Sequence, residues 1–240
     1  MSADSVIPVA KPTVADAPKP AKFGSVIGVA PGGVPAHSSH YESAEGPEWD
    51  DDENYWGEHE GVYTGYRFQC VEFARRWLVH TNGLTFGDVH MAYEIFRIPE
   101  VVKTADGSSI PVERTANGTK GHLPVLGTII LWKPQGYFRH TGHVAIVTHV
   151  EDGKVGVAEQ NVTDASWEGK HFSRELDLKI DDATGNVTIL DHHYDNTVVL
   201  GWVTPVPFIT DGALGAAAAA AAEAEARKPS EPTQGGEDVD

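Results

Sequence analysis

A change in the spacing of hydrophobic residues divides this chain into a helical part and a strand-rich part. Residues 69–80 carry apolar side chains at helical spacing, and Asn82-Gly83 supplies a stop signal. A second helix is predicted to begin with Asp88 as its cap and to end before Pro99. Both predicted helices precede all of the predicted strands.

The second half of the chain is predicted to form six strands separated by Gly, Asp and Pro turn signals. These strands cover residues 125–132, 143–150, 154–161, 174–180, 186–190 and 198–204. Helices followed by a meander of strands are typical of an α+β fold. We therefore expect N-terminal helices packed on an antiparallel sheet of about six strands.

Composition predicts one folded domain between two disordered tails. Residues 1–22 are rich in Pro, Ala and Lys, and residues 212–240 join a seven-alanine run to an acidic end. The domain between them, residues 23–211, is long enough to bury a core, and its single cysteine excludes an internal disulfide. The sequence has no signal peptide pattern and no membrane-spanning stretch, so we expect a cytoplasmic protein.

The chain has a formal net charge of -17, with nine acidic residues and no Lys or Arg between residues 42 and 60. Such a charge repels nucleic acid and anionic membranes, so we expect neither as a partner. The acidic run is expected either to approach the binding cleft and attract a cation or to form a solvated loop. A calcium-binding EF-hand loop beginning at Asp50 is excluded, because Tyr55 and Gly61 occupy positions that need glycine and glutamate.

Cys70 is the only cysteine, and it stands in the first turn of the first predicted helix. The positive end of the helix dipole favours an anion there, so a thiolate at this position is stabilised. A thiolate attacks a carbonyl carbon far better than a thiol does. Cys70 is therefore either the nucleophile of an enzyme or a buried residue of the apolar stripe on its helix.

Two polar residues stand at the ends of neighbouring predicted strands. His143 opens an apolar strand directly after Thr141-Gly142, and Glu159 lies at the end of the next strand. A carboxylate in that place can orient the imidazole of a catalytic histidine. Each residue alone also fits a plain structural role at a strand edge or a turn, whereas the combination with the helix-start cysteine favours a triad.

The hairpin between His143 and Glu159 decides whether this triad can form, because side chains alternate between the two faces of a sheet. Asp152-Gly153 is the usual signal for a two-residue turn, which would place the two side chains on opposite faces. A three-residue loop over residues 151–153, or a bulge elsewhere in either strand, would bring them to one face. We expect the three-residue loop, and we predict that the two side chains share a face.

Twelve histidines make a metal site the competing interpretation. The chain has no His-Glu-x-x-His motif, and the spacing of His140 and His143 suits a helix, whereas their segment is predicted as loop and strand. The rings of His192 and His193 would point apart in an extended chain. The sequence therefore predicts no metal site and no cofactor.

These residues and several longer stretches resemble the CHAP family of cysteine, histidine-dependent amidohydrolases and peptidases. More narrowly, they resemble the amidase domain of glutathionylspermidine and trypanothione synthetase-amidases. The matching stretches are FGSVIGVAPGGVPAHS (23–38), QCVEFARRWL (69–78), FGDVHMAYEIF (86–96), TGHVAIV (141–147), AEQN (158–161) and LGW (200–202). The resemblance implies a papain-like fold with Cys70 as the nucleophile, His143 as the base and Glu159 as the orienting carboxylate.

Three further site residues are expected around this triad: Asn161 as support, Gln69 beside the oxyanion and Arg75 as a substrate contact. The reaction that the resemblance implies is hydrolysis of the amide between the glycine of glutathione and spermidine, through a thioester. The expected partner is therefore a small-molecule glutathione–polyamine conjugate. Longer family members carry an ATP-dependent synthetase domain after the amidase, and we expect an isolated amidase here.

Two other functions stay open at this point. Many CHAP domains cut cell-wall peptides, so a peptidoglycan-type endopeptidase is one alternative, although a charge of -17 opposes binding to an anionic wall. The other alternative is a non-catalytic interaction module that kept the fold. The intact set of Cys70, His143 and Glu159 argues against that module.

Overall fold

The computed structural model describes residues 19–46 and 52–210, which form a mixed α/β fold built mostly of strands. The two predicted tails lie outside these ranges apart from residues 19–22, where the backbone N–H of Ala21 donates to the carbonyl of Asp164 at 2.8 Å. Within the described ranges, none of the helices combines the length and the apolar character that crossing a bilayer requires.

The described strands and helices follow one another along the chain with short connections. The strands are β1 (Val26–Ala30), β2 (Val34–His37), β3 (Trp56–His59), β4 (Val62–Tyr66), β5 (Leu84–Thr85), β6 (Glu100–Lys103), β7 (Ser109–Ala116), β8 (Thr119–Lys120), β9 (Ile129–Trp132), β10 (His143–Glu151), β11 (Lys154–Ala158), β12 (Arg174–Ile180), β13 (Asn186–Leu190) and β14 (Val199–Pro205). The α-helices are α1 (Cys70–Asn82) and α2 (Val206–Thr210). Short 3-10 helices cover Tyr41–Ser43, Asp52–Tyr55, Ala92–Arg97 and Gly136–Phe138.

Ten strands form one antiparallel sheet in the order β5-β6-β7-β14-β9-β10-β11-β12-β13-β8, while β1 pairs with β2 and β3 with β4. The six predicted strands are present as β9 to β14. The sheet is larger than predicted because it also includes β5 to β8. β5 and β8 are only two residues long, and β7 contains Pro111 and is mostly exposed, so these three strands carry no clear strand pattern.

The turn between β7 and β8 joins distant parts of this sheet. β8 pairs with β13 at one end of the strand order, whereas β7 lies third from the other end. The side chain of Asn117 donates to the carbonyl of Ile189 at 2.9 Å and accepts from the N–H of Ile189 at 2.7 Å. Its own N–H donates to the carbonyl of Leu200 at 3.1 Å. The sheet therefore curls back on itself.

The central strands are buried on both faces, so they separate two cores. Ile129 and Leu131 of β9 belong to the core that contains α1, and Ile130 and Trp132 belong to the core inside the curl. Neighbouring β10 alternates in the same way. A strand covered on both faces needs apolar side chains at every position, which explains its continuous hydrophobic run.

Helix α1 confirms the first helix prediction to within two residues at its end. Its apolar stripe, which includes Phe73 and Trp77, is buried against the sheet. Gly83 follows the helix with a left-handed φ of 60°, and its N–H donates to the carbonyl of Val79 at 2.9 Å. This glycine satisfies an end carbonyl, as the Asn82-Gly83 signal predicted.

The second helix prediction is wrong in type. The segment is the 3-10 helix Ala92–Arg97, and Asp88 is not its cap. The N–H of Met91 instead donates to the carboxylate of Glu94 at 3.1 Å, and Asp88 forms an ion pair with Arg75. The helical stretch is six residues long, too short for helical spacing alone to establish an α-helix.

The hairpin of β10 and β11 closes with the two-residue turn Asp152-Gly153, so the expected three-residue loop is wrong. Both turn residues have positive φ, 48° and 72°, as a type I′ turn requires. The register then shifts between Val147 and His149, where Thr148 forms a bulge. The extra residue at the bulge shifts the alternation of side chains by one position, as the longer loop would have done. Side chains at the start of β10 and at the end of β11 therefore point to the same face of the sheet.

Two predicted strands are shorter than expected. β9 begins at Ile129 rather than residue 125, because Gly127 adopts a positive φ of 85° in a turn. β11 ends at Ala158, and the chain beyond it leaves the sheet through Asn161, whose φ is 59°. The second difference leaves the residues after β11 free to turn toward α1.

Candidate active site

Cys70 is the first residue of α1, as predicted, and its buried side chain lies against the sheet. The residue before it, Gln69, is extended with φ -76° and ψ 163°, so the chain turns sharply into the helix. Cys70 lines a cavity of about 390 Å³ between α1, β4 and the segment that precedes Ala92. A buried thiol at a helix start that still borders a cavity is suited to nucleophilic attack.

His143 is the first residue of β10, and its ring is held between the sheet and an aromatic wall. The ring of Phe138 stacks on it with centroids 4.5 Å apart and an angle of 7°, and Trp132 lies 5.3 Å away. Gly142, just before the strand, has a φ of 65° and brings the backbone close to Trp132. These contacts leave the imidazole a single well-defined orientation.

His143 and Glu159 share a face, as predicted, and both side chains are buried. Nε2 of His143 lies 2.8 Å from Oε2 of Glu159. An ionised carboxylate accepts hydrogen bonds only, so the proton of this bond belongs to the imidazole Nε2. The other ring nitrogen, Nδ1, is then the one available to Cys70, with which His143 also interacts.

The pair of His143 and Glu159 continues into a buried network that the sequence did not predict. Arg174 donates from Nε to Oε1 of Glu159 at 2.7 Å and from Nη2 to Oε2 at 3.1 Å. Its Nη1 donates to Asp191 at 2.7 Å, and Asp191 also accepts from the indole N–H of Trp132 at 2.9 Å. The signal in the sequence was that Arg174 is the first residue of its strand, and that the neighbouring strand is followed by the carboxylate of Glu159.

The charges of this network set the protonation states of the site. Burial alone would raise the pKa of Glu159, but Arg174 and His143 hold that pKa far below its usual value. Burial alone would lower the pKa of His143, whereas its interactions with Cys70 and Glu159 raise it to about 9. At neutral pH the site therefore holds a carboxylate at Glu159 and an imidazolium at His143.

Gln69 and Asn161, two further predicted site residues, are joined to each other. The amide of Asn161 donates to Oε1 of Gln69, and Oδ1 of Asn161 accepts from the hydroxyl of Ser39 at 2.9 Å. The Gln69 amide donates to the hydroxyl of Tyr41 at 2.9 Å. Asn161 thus fixes Gln69, which stands directly beside Cys70.

Arg75, the predicted substrate contact, lines the same cavity as Cys70 but uses its donors within the protein. It donates to the carbonyls of Thr64, Phe86 and Gly87 at 2.8–3.1 Å and to Asp88 at 3.2 Å. The carboxylate of Asp88 remains 80% exposed at the cavity wall. A negative group therefore faces the cavity, held in place by a buried arginine.

The acidic run between residues 42 and 60 is only partly described. Among the described residues that line the cavity at Cys70, the acidic one is Asp88, which lies outside that run. Residues 47–51 lie outside the described part of the chain. The three side chains that could together hold a metal ion among the described residues, His59, Glu60 and His80, lie outside the lining of this cavity.

Comparison with known proteins places the chain in a family. Residues 61–161, which include α1 and the hairpin of β10 and β11 with His143 and Glu159, match the CHAP domain model. The chain contains a CHAP domain. Over 184 residues, this chain is 39% identical to the bifunctional glutathionylspermidine synthetase/amidase of Escherichia coli, a match that covers 76% of this chain and 29% of that protein.

Two proteins of Crithidia fasciculata are also similar. Trypanothione synthetase is 37% identical over 184 residues and glutathionylspermidine synthase 34% identical over 194 residues, each covering 76% of this chain and 26% of the relative. The chain therefore spans less than a third of the length of these relatives. The CHAP domain match and the Escherichia coli relative together support an amidase-type hydrolase function.

Proposed function

We propose that this CHAP domain is a cysteine-dependent amidase in which Cys70 is the nucleophile, His143 the acid and base, and Glu159 the group that orients His143. The observation that carries the proposal is the buried 2.8 Å contact between His143 and Glu159, beside a cysteine at a helix start. The arrangement is papain-like, because the helix that begins at the nucleophile packs on the sheet that carries the histidine. A reducing cytoplasm belongs to the proposal, since Cys70 must stay a free thiol.

In the first half of the reaction, the thiolate of Cys70 attacks the carbonyl carbon of the substrate amide. A C–S bond forms, and the carbonyl oxygen takes the negative charge. His143 holds its second proton at neutral pH because its pKa is raised to about 9. It gives the proton from Nδ1 to the nitrogen as the C–N bond breaks, which releases the amine and leaves a thioester.

In the second half, water attacks the thioester carbon while His143, now neutral, takes a proton from that water. The C–S bond breaks, the carboxylic acid product leaves, and the thiolate–imidazolium pair returns. Glu159 stays ionised throughout, because Arg174 holds its pKa low. Its role is to fix the tautomer and orientation of the imidazole and to stabilise the imidazolium.

The oxyanion is assigned to the backbone N–H of Cys70 and to the side-chain amide of Gln69. A helix start directs N–H groups toward an incoming negative charge. The Gln69 amide has two N–H donors, and one of them is bound to Tyr41 at 2.9 Å. Asn161 holds the amide oxygen, so the second donor of Gln69 has a fixed direction.

The proposed substrate is glutathionylspermidine or a related glutathionyl-polyamine, cut at the bond between glycine and the amine. The named relatives supply this substrate class. The cavity supports it, because Asp88 and the rings of Tyr63 and Tyr66 line the same space as Cys70. A carboxylate and aromatic faces both attract the ammonium groups of a polyamine.

The test is incubation of the purified chain with glutathionylspermidine, with release of glutathione and spermidine measured by chromatography. Wild-type protein should release both in equal amounts, and Cys70→Ala should release neither while its circular dichroism spectrum stays unchanged. Wild-type turnover by folded Cys70→Ala would contradict the nucleophile assignment. A cell-wall peptide serves as the competing substrate, and hydrolysis of that peptide alone would favour the endopeptidase.

A further inference from the structure

Three metal-ligating side chains converge where the hairpin of β3 and β4 meets the end of α1. Nε2 of His59 lies 3.0 Å from Nδ1 of His80. Oε1 of Glu60 lies 3.6 Å from the first nitrogen and 3.9 Å from the second. His59 ends β3, Glu60 occupies the hairpin turn with a φ of 54°, and His80 lies in the last turns of α1.

We propose that His59, Glu60 and His80 bind a zinc-type divalent cation. A triangle with sides of 3.0, 3.6 and 3.9 Å has a centre about 2.1 Å from all three of its corners. Zinc binds imidazole nitrogen at about 2.0–2.1 Å and carboxylate oxygen at about 2.0–2.2 Å. A point in the plane of these three atoms therefore lies at zinc-binding distance from each of them, and rotation of the partly exposed side chains would bring the ion out of that plane toward a fourth ligand.

The ligand types favour zinc over calcium or magnesium. Two imidazoles and one carboxylate suit zinc, cobalt or nickel, whereas calcium and magnesium need oxygen ligands.

The site has room for a fourth ligand and a route for the ion to enter. The side chains of His59, His80 and Glu60 are 29%, 39% and 61% exposed. His59 and His80 also line a cavity of about 310 Å³. With three protein ligands and space beside them, the ion would be four-coordinate, with a water molecule as its fourth ligand.

A bound ion would connect the wall of the Cys70 cavity to the helix that begins at Cys70. Tyr63 and Tyr66 of β4 line that cavity, and β4 belongs to the same hairpin as His59 and Glu60. His80 lies ten residues after Cys70 on α1. The ion would therefore hold the hairpin against the far end of the helix, and metal binding itself stands independently of the proposed amidase reaction.

The test is metal titration of the full chain, freed of any affinity tag and carrying Cys70→Ala so that the thiol cannot compete. Zinc binding is measured by competition with a chelating dye, and cobalt by the visible absorption of a tetrahedral complex. We expect one ion per chain and a higher midpoint of thermal unfolding with zinc. Magnesium and calcium at the same concentration should change neither signal.

Single substitutions then locate the ion. His59→Asn and His80→Asn should each weaken zinc binding by at least about tenfold and abolish the cobalt absorption. His192→Asn, at an exposed histidine outside the group, is the matched control and should bind as the parent does. The proposal is overturned if the parent binds no zinc, or if both His59→Asn and His80→Asn bind it with parental affinity.

Discussion

At the scale of single residues, the candidate site is continuous with a row of buried ionisable side chains. Cys70, His143 and Glu159 follow one another, and Arg174 and Asp191 extend the series into the core inside the curled sheet. From His143 to Asp191, positive and negative groups alternate. Such an alternation lets each charge stay ionised away from water, so the protonation of the imidazole depends on residues that cannot reach a substrate.

Replacing Arg174 by Ala should destabilise the protein by about 3–5 kcal/mol, because Glu159 and Asp191 would be left as buried carboxylates without their main partner. Urea unfolding followed by circular dichroism measures this change. Lys154→Ala is the control, since it removes an exposed ion pair between the same two strands, and it should change the unfolding midpoint little. Equal effects of the two substitutions would contradict the role assigned to Arg174.

Replacing Glu159 by Gln should shift the pH dependence of catalysis. The carboxylate contributes to raising the pKa of His143 to about 9, so its loss lowers that pKa. Wild-type kcat/KM should fall as the pH rises through about 9, where the imidazolium loses the proton that the leaving amine needs. In Glu159→Gln the fall should begin at lower pH, and an alkaline limb in the wild-type position would refute the coupling.

At the scale of elements, strand β10 positions the site through the end at which it begins. Its first residue is His143, and its last residue leads into the Asp152-Gly153 turn. A left-handed glycine lies near each end: Gly142, with φ 65°, directly precedes the strand, and Gly153, with φ 72°, is the second residue of the turn that follows it. The two glycines share a backbone conformation and differ in their surroundings, so the same substitution at each of them separates backbone strain from displacement of His143.

Gly142→Ala should reduce kcat, whereas Gly153→Ala should leave kcat unchanged. A Cβ at Gly142 would lie 2.5 Å from the carbonyl oxygen of Trp132, so the backbone next to His143 must move. A Cβ at Gly153 would meet only the carbonyl of Leu178, at 3.6 Å. Both substitutions carry the left-handed strain of about 1–2 kcal/mol. Steady-state kinetics and urea unfolding separate the two effects, and unchanged kcat in Gly142→Ala would disprove the positioning argument.

The elements also show how far a sequence can predict a structure. The helix that starts at Cys70 is encoded by neighbouring residues and was predicted from a short window. The Asp152-Gly153 dipeptide is a local signal too, and the two-residue turn that it favours is the one that forms, although a three-residue loop was expected in its place. The bulge at Thr148 depends on how two strands pair, and no local pattern marks it. The shared face of His143 and Glu159 was predicted because the proposed chemistry requires it, rather than from the turn.

The residues that the sequence did not reveal are joined by pairing over long distances. Arg174 reaches Glu159 because β12 pairs with β11, and it reaches Asp191 because the chain returns after β13. His59 and His80 meet because a hairpin packs on α1. A sequence pattern records spacing along one element, so contacts between elements appear only once their packing is known.

At the scale of the whole molecule, the net charge of -17 acts on any cationic substrate before it reaches the cavity. We expect KM for glutathionylspermidine to rise several-fold from about 0.01 M to about 1 M salt, as the screening length falls from about 30 Å to about 3 Å. KM for a neutral glycyl amide is the control and should change little. Equal salt dependence of KM for both substrates would contradict this steering.

Asp88→Asn should raise KM for the cationic substrate most at low salt.

The strand order has a consequence for folding during synthesis on the ribosome. β14, the last described strand along the chain, lies between β7 and β9 in the middle of the sheet. Until Val199–Pro205 has been synthesised, β7 and β9 each present an unpaired edge, and such edges invite aggregation. The domain must therefore complete its folding after nearly all of it has been made, and nascent chains that stall before β14 are the ones that chaperones would need to shield.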